Sequence, residues 1–266
     1  MSVPQSLGEN KTFTKEEKAK RLKVAQEHQD ADRFVQGRRL ISSKLWDGIY
    51  RWCFLWCMMQ KMHNVESTAS NEMNLPERMV WLGEKLFEWL PPLEATLFPV
   101  QLLEAIPTDT NMLQVWKNFM YRLLMDEKRG TIIFAKWNPK VSSIVREVAK
   151  LYKMKTIADN DNYRTIRAAA HTTKTMLYPA NYSATAMSAA VAYGAARSSN
   201  YTDDWAYSSI VSYSDTVTYA AHAASYVNPK SHKKAEDLLK AIDVKSKAHY
   251  QRMRDVLLEE LYNSNK

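Results

Sequence analysis

Apolar residues along this chain recur at steps of three and four, the period of helices buried along one stripe. Leu45, Ile49, Trp52, Trp56 and Met59 set one such stripe on a helix predicted over 42–62. Met79, Leu82, Leu86 and Trp89 set another, on a helix that Asn74 and Pro76 open and that runs to about Leu90. Leu113, Trp116, Met120 and Leu124 form one side of a third helix, capped by Asp109 or Thr110 and ended by Gly130. Val141, Ile144, Val145, Val148 and Tyr152 face inward on a fourth, which Asn138-Pro139 opens in cap-plus-proline order and which reaches about Ala158. Beyond Asn228 and Pro229, a final amphipathic helix carries Ala235, Leu238, Leu239, Ile242, Met253, Val256, Leu257 and Leu261 at the same spacing.

Punctuation between the stripes sharpens these bounds. Residues 1–12 are polar without apolar periodicity and read as a flexible start. Thr14 followed by Glu17 has capping-box spacing, which predicts a charged surface helix from Lys15 to about Phe34. Pro91 and Pro92 stop the second helix, and Pro99 and Pro107 should divide the next segment into short helical pieces. Thr131 to Trp137 contains the β-branched pair Ile132-Ile133 but has no convincing strand partner, so an extended connector or a helical turn is expected.

From Arg164 to Val227 the pattern changes, because large aliphatic side chains almost vanish. Of these 64 residues 16 are Ala, 17 are Ser or Thr and eight are Tyr, and side chains that small let helix backbones approach closely. Three helices are predicted, at about 163–177, 179–197 and 203–227. Ala180, Ala184, Met187, Val191 and Gly194 share a narrow face of the second, and Ala206, Ile210, Val217, Ala220 and Ala224 one of the third. Tyr182 with Tyr193, and Tyr219 with Tyr226, line the edges of those faces, where an amphipathic ring can seal a close helix pair. No period carries over from helix to helix, so the stretch is not a solenoid. The fold expected is all-α, a bundle of about eight to ten helices without a sheet. Composition divides it into a charged N-terminal arm and helix (1–40), a Trp/Met-rich helical region (41–160) and an Ala-rich region with the amphipathic C-terminal helix (161–266).

Composition adds little until charge is traced along the chain. Hydrophobic residues make up 45% and charged residues 25%, ordinary for a folded domain. Six scattered Gly argue against a phosphate-cradling loop. No charged leader precedes an apolar core, and the most apolar window, Leu45 to Met62, is interrupted by Asp47, Arg51, Gln60 and Lys61. A cytoplasmic protein that does not span a membrane is expected. Cys53 and Cys57 lack further ligands at zinc spacing and read as reduced structural cysteines.

The net charge of +8 is concentrated. Lys128 to Lys155 holds Lys128, Arg129, Lys136, Lys140, Arg146, Lys150, Lys153 and Lys155 against Glu147 alone. Charge of one sign at that density attracts an anionic partner, and these residues with Trp137 are the candidate partner-binding set. Phe134, Trp137 and Tyr152 in the same segment could stack on bases while the cations contact phosphates, so nucleic acid is an alternative to an acidic protein surface.

Catalytic chemistry is less well marked. Six His, at 28, 63, 171, 222, 232 and 249, include no pair at three or four residues' spacing. His171 and His222 could meet across Ala-rich helices with Asp215 nearby and form a ligand site, although capping or buried hydrogen-bonded roles suit them better. No catalytic residue, metal site or cofactor is assigned. Seven of the Trp and the 13 Met fall at helical spacing and read as core.

The segments Arg167-Ala-Ala-Ala-His171, Ala189 to Arg197 and Tyr219 to Tyr226 resemble the Ala-rich helical half of a family of bacterial immunity proteins. The segment Trp81 to Phe98 is loosely similar to the part of the family that precedes that half. The chain departs from the family in its many Ser and Thr, its few Arg in this half and its long basic ends. The resemblance implies a non-enzymatic protein that binds and blocks another macromolecule, most simply a protein. A nucleic-acid-binding accessory protein is the second expectation, and an enzyme with a site between the Ala-rich helices the third. Small-residue faces of this kind also suit a homo-oligomer.

Overall fold

The computed structural model describes residues 13–31, 33–34, 36, 43–44, 50–51, 75, 77–110, 112–136, 138–153, 160–177, 184–198 and 235–264. Nine helices are present among them: α1 (Lys15–Asp30), α2 (Glu77–Trp89), α3 (Pro92–Ala105), α4 (Met112–Met125), α5 (Ile132–Ala135), α6 (Pro139–Leu151), α7 (Asn160–Leu177), α8 (Ala184–Ser198) and α9 (Ala235–Asn263). The fold is all-α. Among the described residues there is also a pair of two-residue antiparallel strands, β1 (Ser43–Lys44) and β2 (Tyr50–Arg51), with Ser43 opposite Arg51 and Lys44 opposite Tyr50. This corrects the expected start of a helix at 42. Asp47-Gly48 separates the two strands in sequence, and Asp-Gly is a strong local hairpin signal that competes with the helical count of Leu45, Ile49 and Trp52. The remainder of that predicted helix, Cys53 and Cys57, and the Ala-rich helix predicted at 203–227 lie outside the described residues.

The chain divides into two compact units, Met1–Trp116 with Leu257–Lys266, and Lys117–Val256. In the first, α3 packs against both α1 and α2. The Thr14 side chain accepts from the Glu17 N–H as the capping spacing requires, while the Glu17 carboxylate turns to Arg21 at 2.6 Å. Val24, Ala25 and His28 form the buried side of α1, together with the stem of Arg21. Met79, Leu82 and Leu86 are buried on α2, but Trp89 is 47% exposed, with the Lys85 ammonium 5.5 Å above its ring. Its predicted inward place goes instead to Leu90 and Phe87.

Helix α3 runs through Pro99 rather than breaking there. A proline inside a helix forfeits one backbone bond and costs about 3 kcal/mol. Here Ala95, Phe98, Val100, Leu102, Leu103 and Ala105 are buried around it, and their removal from water offsets that loss. Pro92 occupies the first turn, where no N–H partner is needed. Long side chains close the two helix ends: Lys18 Nζ donates to the carbonyls of Glu104 and Ile106 at 2.8 and 2.7 Å, and Gln36 Nε2 donates to those of Phe87 and Leu90 at 2.6 and 2.8 Å.

In the second unit α8 packs against α5, α6 and α7. From Ser188 to Ala196 every side-chain position of α8 is buried except half-buried Tyr193. A narrow single face was expected. With three neighbouring elements, Ala and Ser are needed on all sides, and Tyr193 marks the edge as anticipated. Tyr152, at the end of α6, is buried and donates its hydroxyl hydrogen bond to the Ala195 carbonyl at 2.7 Å, fixing α6 to α8.

Helix α4 ends at Met125, not at Gly130. The Asp126 carboxylate accepts from the N–H groups of Lys128 and Arg129 at 2.9 and 2.8 Å and turns the chain there. Gly130 then sits directly on that turn, where an added Cβ would lie 2.5 Å from Asp126 N and 2.7 Å from Asp126 O. Burial pushes the Asp126 carboxyl up, but the two backbone N–H groups, the Arg129 charge and the Arg122 hydrogen bond outweigh it and hold it below the usual carboxylate range. Of the 131–137 segment, Ile132–Ala135 forms the helical turn α5.

Candidate functional site

The basic segment begins on the Asp126 turn, passes α5 and continues along α6. Asn138 caps α6, its side chain accepting from Lys140 and Val141 N–H at 3.1 and 3.2 Å, and Pro139 fills the first turn. Val141, Val145, Val148, Ala149 and Leu151 are buried, and Ile144 is half-buried. That burial turns the opposite side of α6 outward, so Lys140, Arg146 and Lys150 are exposed, as are Lys153 just beyond the helix and Lys128 and Lys136 before it. Arg129 is partly covered and pairs with Asp126 at 3.5 Å. Trp137 and Lys155 lie outside the described residues.

Two features of this face were not visible in the sequence. Glu147, the segment's one acid, lies 2.7 Å from Lys150, and Lys153 Nζ stands 4.1 Å over the ring of Tyr121. Two of the segment's three aromatic residues lie among the described residues. Tyr152 is buried, and Phe134 is half-buried with its ring edge-on to His249 at 5.9 Å. Tyr152 offers no open face for stacking.

His171 is exposed on α7, with its ring 5.0 Å from that of Tyr193 on α8. His222 and Asp215, its expected companions, lie outside the described residues. His171 is instead grouped with Lys174, whose Nζ stands 5.0 Å from the centre of the same Tyr193 ring. Among the described residues no group of three or more His, Cys, Asp or Glu is placed to hold a metal ion. None of the described helices is long and apolar enough to cross a membrane.

A strongly perturbed titratable group is His249 on α9, which in the sequence is one of six scattered His. It is 1% exposed, and neither ring nitrogen has a hydrogen-bond partner. Burial, with the nearby Arg252 charge, pushes its imidazole down to about 3. It therefore stays neutral at ordinary pH and serves as an aromatic core residue against Phe134. Only its place among apolar positions of α9, one before buried Tyr250 and four before buried Met253, could have marked it.

No family model matches the chain, and neither a curated protein nor a solved structure matches it significantly.

Proposed function

We propose that this chain is a non-enzymatic helical binding protein that recognises and blocks an acidic macromolecule, using the basic face of α6. The observation that carries the reading is the outward set Lys140, Arg146, Lys150 and Lys153, extended by Lys128 and Lys136, with Glu147 as the only acid in the segment. Facing charges of opposite sign steer encounter and select partners more than they add affinity, which suits a protein whose task is to find one target. An acidic protein fits better than nucleic acid, because Tyr152, one of the rings that single-stranded bases would need, is buried and bonded to the Ala195 carbonyl. The Ala-rich resemblance points the same way, toward an intracellular inhibitor- or immunity-like role.

The test is affinity capture from a native extract, with and without nuclease, using the intact chain and a Lys140→Glu, Arg146→Glu, Lys150→Glu variant. The expected result is one protein that survives nuclease and is lost from the variant. Nucleic acid that leaves as salt rises, with no protein retained, would replace this reading by the nucleic-acid one.

A further inference from the structure

Helical spacing places the methionines in the core, and Met79, Met112, Met120 and Met253 are buried there. Met125 is half-buried. Met176, in the last turn of α7, departs from this pattern. Its side chain is 62% exposed, and Thr172 and Thr175 beside it are short and exposed as well, so a small solute reaches the sulfur directly from water. The same sulfur has a cation against it. Helices α6 and α7 pack together, and Lys140 Nζ, in the first turn of α6, lies 3.2 Å from Met176 Sδ.

A thioether sulfur is a weak hydrogen-bond acceptor, so this contact alone holds the exposed Lys140 ammonium loosely. Oxidation changes the acceptor. A sulfur lone pair bonds to one oxygen of hydrogen peroxide while the O–O bond breaks. The transferred oxygen gives its proton to the leaving hydroxide, which departs as water; sulfur loses two electrons and the peroxide gains them. The product, methionine sulfoxide, is polar and is returned to the thioether by dedicated reductases. Its oxygen is a strong acceptor, and the donor is already in place: an ammonium–oxygen bond is charge-assisted and roughly twice as strong as a neutral one.

We infer that Met176 is a site of reversible oxidation by small peroxides, and that its sulfoxide oxygen holds the Lys140 ammonium. In the reduced chain Lys140 is free to move over the start of α6. In the oxidised chain it is tied to the end of α7. The inference goes beyond the reading of α6 as a partner-binding face, while acting on one residue of that face.

Two measurements on the full chain test it. In the first, dilute hydrogen peroxide is added and sulfoxide is located over time by peptide mass spectrometry. Met176 should oxidise ahead of Met125 and roughly tenfold or more faster than buried Met79, Met112, Met120 and Met253. Oxidation of Met176 no faster than that of the buried four would overturn the site. In the second, limiting acetic anhydride labels the lysines before and after oxidation, with exposed Lys128 as the internal reference. Labelling of Lys140 relative to Lys128 should fall severalfold on oxidation and recover after treatment with a methionine sulfoxide reductase. In a Met176→Leu variant it should not respond to peroxide. An unchanged ratio in the oxidised intact chain would overturn the hold on Lys140, as would an equal fall in the Met176→Leu variant. Neither measurement uses the acidic partner, so failure here and failure of the α6 reading are separate results.

Discussion

The imidazole of His249 shows how a single residue can set the behaviour of the fold in acid. Its nitrogens lack partners and its ring packs against Phe134, so the folded chain accepts a proton only near pH 3. In the unfolded chain the same group titrates near 6.5. Between those values the unfolded state binds more protons, so stability is complete above about pH 6.5 and falls as pH drops toward 3. The expected loss from this group between pH 7 and 5 is about 2 kcal/mol. Urea unfolding of the intact chain and of a His249→Leu variant at both values measures it. The variant should lack that share of the loss while matching or exceeding the intact chain at pH 7, because it removes two buried polar atoms without partners. An equal acid loss in the variant would assign the effect to other groups.

At the scale of the element, helix ends fix how α1, α2 and α3 meet. Lys18 reaches from α1 to the last carbonyls of α3, where a cation also complements the helix dipole. Desolvation of its ammonium lowers its pKa, although the Glu104 charge acts in the other direction. A Lys18→Met change keeps the stem and removes the donor, and it should cost about 1 kcal/mol in urea unfolding. An unchanged midpoint would mean that water replaces the ammonium without loss. Much of this level is legible in the sequence. The Thr14 and Asn138 caps and the inward residues of α6 come from spacing alone, because each depends on neighbours within one turn. The features that escape it depend on tertiary surroundings or on competing local signals. Pro99 is tolerated only because its helix is buried on most sides. Trp89 is exposed because Leu90 and Phe87 fill the space at the end of α2. Gly130 serves a close approach to Asp126 rather than a helix stop. The short strand pair of Ser43–Lys44 with Tyr50–Arg51 is missed by a count of helical spacing that runs through it.

For the molecule as a whole, the first compact unit takes residues from both ends of the chain, since Leu257–Lys266 belongs with Met1–Trp116. Leu257 and Leu261 are each 0% exposed, and truncating a buried leucine to alanine costs about 2–5 kcal/mol. The Leu257→Ala, Leu261→Ala double variant should therefore open the first unit selectively. Amide hydrogen exchange is the appropriate readout, because it reports the stability of separate regions of one native chain. Protection in α1, α2 and α3 should fall by several hundredfold or more, while α6, α7 and α8, held by α8's own packing and by Tyr152, keep theirs. A uniform fall across both sets would show that the units open together. The selective outcome carries a consequence for binding. The basic face of α6 belongs to the second unit, so a partner held by Lys140, Arg146 and Lys150 should still bind a chain whose first unit is loosened.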